Sequence, residues 1–224
     1  MARFCMIGIL SFTINIFIVI QPAIAAGTSN QWLLESFNKI QADKEKSRQA
    51  YLAGKERARL CGVCHGKDGN SVKKHVPNLA GQNPVYLWKQ IDHFASGKRK
   101  NFVMQALAKD FTDEDKLNLA IYFSSNKVHS SSPSNPQKLR EGKKIYKRKC
   151  ISCHGISGQG SEDFARIAGQ KEDYLKLTLE NFRKNANQPG VNGGSRRSAI
   201  MESITKDFTD EDIATLAAYI TALP

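Results

Sequence analysis

The chain has 224 residues, 41% of them hydrophobic and 24% charged, a balance that excludes a wholly disordered chain and leaves room for one large or two small cores. Its formal net charge of +12 points to acidic partners or an anionic membrane face. After the first twenty residues no segment is apolar enough to span a bilayer.

The opening MARFCMIGILSFTINIFIVIQPAIAA carries one basic residue, Arg3, an apolar run from Phe4 to Ile20 and the small-x-small triplet Ala23-Ile24-Ala25. That is the layout of a secretory signal over residues 1–26, with an uncleaved membrane anchor as the alternative. Cys5 leaves with a cleaved signal, and the expected location is the periplasm. A nucleic-acid partner would need the basic charge in another compartment and is rejected. Residues 27–46 form an N-terminal extension, expected to be helical from Trp32 to Lys46.

A first unit, 47–124, is expected to open with a helix over Gln49–Leu60 and then reads CGVCHG from residue 61. Tyr86, Leu87, Ile91 and Phe94 mark its next helix. Leu117, Ala120 and Ile121 mark another, capped by Thr112 ahead of Asp-Glu-Asp. Residues 125–137, rich in Ser, Asn and Pro, read as a linker. A second unit, 138–224, repeats the plan: a helix over Gln137–Lys149, CISCHG from residue 150, a helix through Tyr174, Leu175, Leu179 and Phe182, and one through Ile213, Leu216, Ala217 and Ile220 behind Thr209. LAGQNPVYLWKQIDHF matches IAGQKEDYLKLTLENF in register, and KDFTDED occurs in both units, so one unit has been duplicated. With no strand-like alternation, the expected fold class is all-α.

Cys61, Cys64, Cys150 and Cys153 sit as two tight pairs far apart in the chain. A disulfide scaffold would be shorter and denser in cysteine, and a four-cysteine zinc site would bring its pairs within about 20 residues. A thioredoxin-like redox pair gives no reason for His65 and His154 to follow directly. Covalent haem accounts for all three positions: two thiols add to vinyl groups, and the adjacent histidine becomes the proximal ligand of the iron. For the sixth position, Met104 and Met201 are the only methionines beyond the signal, and each stands seven residues ahead of the paired phenylalanines Phe111 and Phe208. His75, His93 and His129 have no counterparts in the second unit; His93 reads as a helix-surface residue and His129 belongs to the linker.

These residues resemble the dihaem c4-type cytochromes, tandem class I cytochrome c domains, over roughly residues 47–224. The resemblance implies two helical domains, each wrapped around one covalent haem c. It implies axial pairs His65 with Met104 and His154 with Met201, and haems close enough to exchange electrons. It also implies that the Pro77 carbonyl accepts a hydrogen bond from His65; Ala165 stands at the matching position, which puts the orientation of His154 in question. A second departure is the stretch between Phe182 and Met201, lengthened by residues that include NQPGVNGG and expected to be a flexible loop.

The expected function is single-electron transfer from a membrane-bound respiratory donor to a terminal oxidase or other periplasmic acceptor, with no small-molecule substrate. Two rivals differ in class: a dihaem peroxidase, which needs a displaceable sixth ligand, and the cytochrome subunit of a flavoprotein sulfide dehydrogenase. Basic clusters at Lys98, Arg99 and Lys100, at Arg196 and Arg197, and from Lys143 to Lys149 would face an acidic partner or the membrane surface.

Overall fold

The computed structural model describes residues 28–129, 136–188 and 196–224. The signal or anchor reading and the centres of the linker and of the Gly-rich loop fall outside them. Among the described residues every regular element is helical, and no helix is long and apolar enough to cross a membrane.

The first unit is built from α1 (Thr28–Gln41), α2 (Lys44–Arg57), α3 (Gly62–His65), α4 (Pro84–Ala95), α5 (Phe102–Ala108) and α6 (Asp113–Ser124). The expected extension helix is two helices. Asp43 accepts from the backbone N–H of Glu45 and Lys46 and starts α2 afresh, earlier than expected. α1 docks on the first unit: Leu33 and Phe37, one turn apart, are buried in the cluster that also holds Val85, Leu87, Leu119 and Phe123. Trp32 meets Trp88 edge-on at 6.1 Å.

The second unit comprises α7 (Pro136–Lys149), α8 (Ile151–His154), α9 (Glu172–Asn187), α10 (Ala199–Thr205) and α11 (Asp210–Thr221). Its core joins Ile145, Tyr146, Leu175, Leu179, Ile213 and Leu216. α6 and α11 begin with reciprocal caps at the expected threonines: Thr112 and Asp115 exchange bonds of 3.0 and 3.1 Å, Thr209 and Asp212 bonds of 2.9 and 3.0 Å.

In each unit the helix before the haem motif crosses the closing helix at a glycine. A Cβ on Gly54 would lie 2.0 Å from Asn118 O, and one on Gly142 would lie 2.2 Å from Thr215 O, so only glycine lets these backbones meet. The crossings bring the CxxCH segments beside α6 and α11. Part of the extra length before Met201 becomes helix: α9 has 16 residues where α4 has 12.

Candidate functional site

The second motif begins as α7 ends. Cys150 is buried, and the single turn of α8 carries Cys153 and His154 into an apolar cleft of about 300 Å³ that Leu179, Met201 and Leu216 also line. His154 Nδ1 lies 2.9 Å from Ala165 O, and His65 Nδ1 lies 2.9 Å from Pro77 O. A carbonyl can only accept, so Nδ1 is the protonated nitrogen in both rings and Nε2 keeps its lone pair for a metal. Alanine holds the bond as proline does, which answers the question raised by the missing ring. Burial pushes both imidazole pKa values down, against these carbonyl bonds, and favours the neutral ligand form. Cys61, Cys64, Cys150 and Cys153 form no disulfides; burial pushes the Cys150 thiol up to about 12 and Cys61 in the same direction. The sixth letter of each motif is dictated by the backbone: Gly66 and Gly155 turn away from the helix at φ 81° and 77°.

Met104 and Met201 are each the third residue of a short helix, α5 and α10, that sequence periodicity did not reveal. Both helices are capped from three residues upstream, where Asn101 Oδ1 accepts from Met104 N at 3.0 Å and Ser198 Oγ from Met201 N at 3.3 Å. An Asn or Ser three residues before each methionine was the available signal. Met201 packs against the second core and lines the cleft. Of the remaining histidines, His75 is exposed and His129 lies 3.8 Å from Asp68. His93, expected on a helix surface, is half-buried in a cleft of about 260 Å³ shared by the two units.

The units meet across an approximate two-fold axis visible in matched contacts. Gln82 takes the backbone of Arg166 with both ends of its amide, at 2.7 Å each, and the matching Gln170 takes the backbone of Asn78 at 2.7 and 3.0 Å. Arg99 and Arg196, each five residues before a methionine, stack over their own units' Phe94 and Phe182 at 4.6 and 5.5 Å. Each then reaches across: Arg99 donates to Tyr174 OH at 3.1 Å and Arg196 to Tyr86 OH. Burial would raise the Tyr174 pKa, but Arg99 and Arg196 outweigh it and bring it to about 8. Arg99 Nε is buried without a partner. Sequence reasoning saw Gln82 and Gln170 only as marks of the repeat, and Tyr86 and Tyr174 as marks of the repeat and of helices, because their partners lie in the other copy.

This donor set fits a covalently attached haem in each unit. In both units paired thiols and an oriented imidazole stand together at one helical turn; the apolar walls of the second cleft suit the macrocycle, and the half-buried guanidinium groups of Arg99 and Arg196 suit its carboxylates.

A sequence profile of the cytochrome c family matches residues 139–224. The chain is 34% identical over 181 residues to cytochrome c4 of Pseudomonas aeruginosa, covering 76% of this chain and 87% of that one. It is 34% identical over 190 residues to cytochrome c4 of Azotobacter vinelandii, covering 76% and 88%. The crystal structure of reduced recombinant cytochrome c4 from Pseudomonas stutzeri superposes with a TM-score of 0.68 at 29% identity, covering 78% of this chain and 98% of that one.

Proposed function

The chain belongs to the cytochrome c4 family of dihaem electron-transfer proteins, and from that premise we propose that it relays single electrons in the periplasm from a membrane-bound respiratory donor to a terminal oxidase or another periplasmic acceptor. In this reading Cys61 and Cys64 bind one haem, with His65 and Met104 on the iron, and Cys150 and Cys153 bind the other, with His154 and Met201. Residues 47–124 and 138–224 are the two haem domains joined by 125–137, preceded by the extension 27–46 and an export signal over 1–26. One observation carries the second unit's ligand assignment, and the repeat extends it to Met104: Met201 lines the same apolar cleft as Cys150, Cys153 and His154.

With haem bound, His65 and Met104 in the first unit and His154 and Met201 in the second would hold the iron, and the group would supply one-electron ferric/ferrous chemistry at a potential raised by thioether ligation. The chain's own residues do the rest. Pro77 and Ala165 fix the imidazole rings, and Leu179, Phe182 and Leu216 keep water from the second cleft.

The two motif loops differ in charge, which supports different partner faces. The exposed Lys67, Lys73 and Lys74 border the first motif, where the second unit carries Ile156, Glu162 and Asp163. Lys73 Nζ lies 3.8 Å from Cys64 Sγ. These lysines support docking of an acidic partner at the first unit, alongside the exposed basic run Lys147, Arg148 and Lys149 that precedes the second motif.

The test is stopped-flow oxidation of the reduced, haem-loaded chain by respiratory membranes of its host. The rate is expected to fall steeply with ionic strength and to drop about tenfold in K73E/K74E. A rate indifferent to both salt and charge reversal would contradict the docking face. Sustained peroxide turnover would favour the peroxidase.

A further inference from the structure

The peptide group that orients each proximal histidine is gripped from the other unit. Pro77 O, which accepts from His65 Nδ1, and Asn78 N–H, which donates to Gln170 Oε1 at 2.7 Å, belong to one planar peptide. In the second unit Ala165 O accepts from His154 Nδ1, and the N–H of the same peptide, on Arg166, donates to Gln82 Oε1 at 2.7 Å. Two hydrogen-bond chains therefore run from imidazole to peptide to amide, each crossing the boundary between units. Both glutamines are 7% exposed and Asn78 is 5% exposed, so water does not compete for these bonds. A second tie in the first unit runs from Gly169 through the Asn78 side chain to Ser71 N, and Ser71 Oγ donates to Cys64 O at 3.0 Å.

We propose that Gln170 is a positioning residue for His65 and Gln82 one for His154, so that each unit tunes the reduction potential of the other unit's haem. This rests on the axial-ligand assignment made above. Hydrogen bonds in series polarise one another: an acceptor on the N–H side of a peptide makes its carbonyl a stronger acceptor. The stronger carbonyl draws more charge from Nδ1–H, raises the basicity of the ligating imidazole and stabilises ferric iron. Removing a glutamine weakens that pull and favours ferrous iron on the opposite haem.

The experiment is potentiometric titration of the haem-loaded full chain carrying Q170L or Q82L. A Met201→His background, in which the second unit's couple moves far down, labels the two couples. Q170L is expected to shift the first unit's ferric/ferrous ratio at fixed potential about threefold toward ferrous, about 30 mV at 59 mV per tenfold, and to leave the second couple in place. Q82L should do the reverse. If Q170L fails to load or fold, Q170A takes its place, since it also removes the acceptor for Asn78 N–H and should shift the first couple in the same direction. A shift in the mutated unit's own couple, equal shifts in both, or no shift would overturn the proposal. If Met201→His moves neither couple, the axial assignment fails instead.

Discussion

Replacing Gly142 by alanine tests the helix crossing that frames the second haem motif. The new Cβ would sit 2.2 Å from Thr215 O, 2.6 Å from Tyr219 Cβ and 2.9 Å from Thr215 C, where ordinary contact begins at 3.4 Å. The obstacle is backbone, so no rotamer relieves it and α7 must move about 1 Å from α11. A gap of that size forfeits roughly a quarter to a half of each dispersion contact along the seam, which here includes the buried Ile145, Tyr146 and Leu216. Overpacking costs about 1–3 kcal/mol, the opened seam adds to it, and alanine's better helix propensity returns only about 1 kcal/mol. The expected net loss is about 3 kcal/mol, read by guanidinium unfolding of the haem-loaded chain, with G54A behaving alike in the first unit. Gly62→Ala is the control. Its Cβ meets nothing closer than 3.4 Å, the second unit carries Ile151 at that place, and the change should stay within about 0.5 kcal/mol. A G142A protein as stable as the G62A protein would refute the close-crossing argument.

Thr209→Ala should cost about 1 kcal/mol at neutral pH by removing the α11 cap. Thr209 N–H and hydroxyl bonds hold the Asp212 pKa below its ordinary 3.8, so their contribution is complete above that pH and is lost as pH falls through the lowered value. The gap between parent and variant in acid titrations should accordingly narrow at low pH, leaving the part due to the Asp212 N–H bond to Thr209 Oγ1. Leu33→Ala should destabilise the first unit by about 2–5 kcal/mol, because α1 is part of its core. Trp32 and Trp88 both lie in that unit, so tryptophan fluorescence should detect this loss before circular dichroism of the whole chain does. Pro77→Ala should retain methionine-ligated, low-spin haem in the first unit, since Ala165 holds the same 2.9 Å bond without a ring; loss of the first unit's haem signature would show that the ring is needed.

The duplication, the two haem motifs, the helix caps at Thr112 and Thr209 and the core faces of α4, α6, α9 and α11 were legible because each is written in local spacing. α5 and α10 were not, since seven residues carry too few turns for a periodic signal. The interval from the crossing glycine to the first motif cysteine differs by one residue between units, Gly54 to Cys61 against Gly142 to Cys150, so aligning the motifs hides that Gly54 and Gly142 do the same work. The glutamine clamps stood in plain view as Ala-Gly-Gln, yet the backbone each one grips lies more than 80 residues away in the other copy. Hydrophobic periodicity says nothing about such polar pairing. The docking of α1 was not legible: a helix was expected there, but Leu33 and Phe37 show their buried role only against the first unit's core.

The most direct test of the account is the optical spectrum of the exported, haem-loaded chain together with a haemochrome count, in the parent and in Met104→Ala and Met201→Ala. Two haems per chain, low-spin bands and the weak far-red ferric band of methionine ligation are expected, with each substitution removing about half of that band. A high-spin component in the parent, or a band that survives either substitution intact, would contradict methionine ligation at that haem.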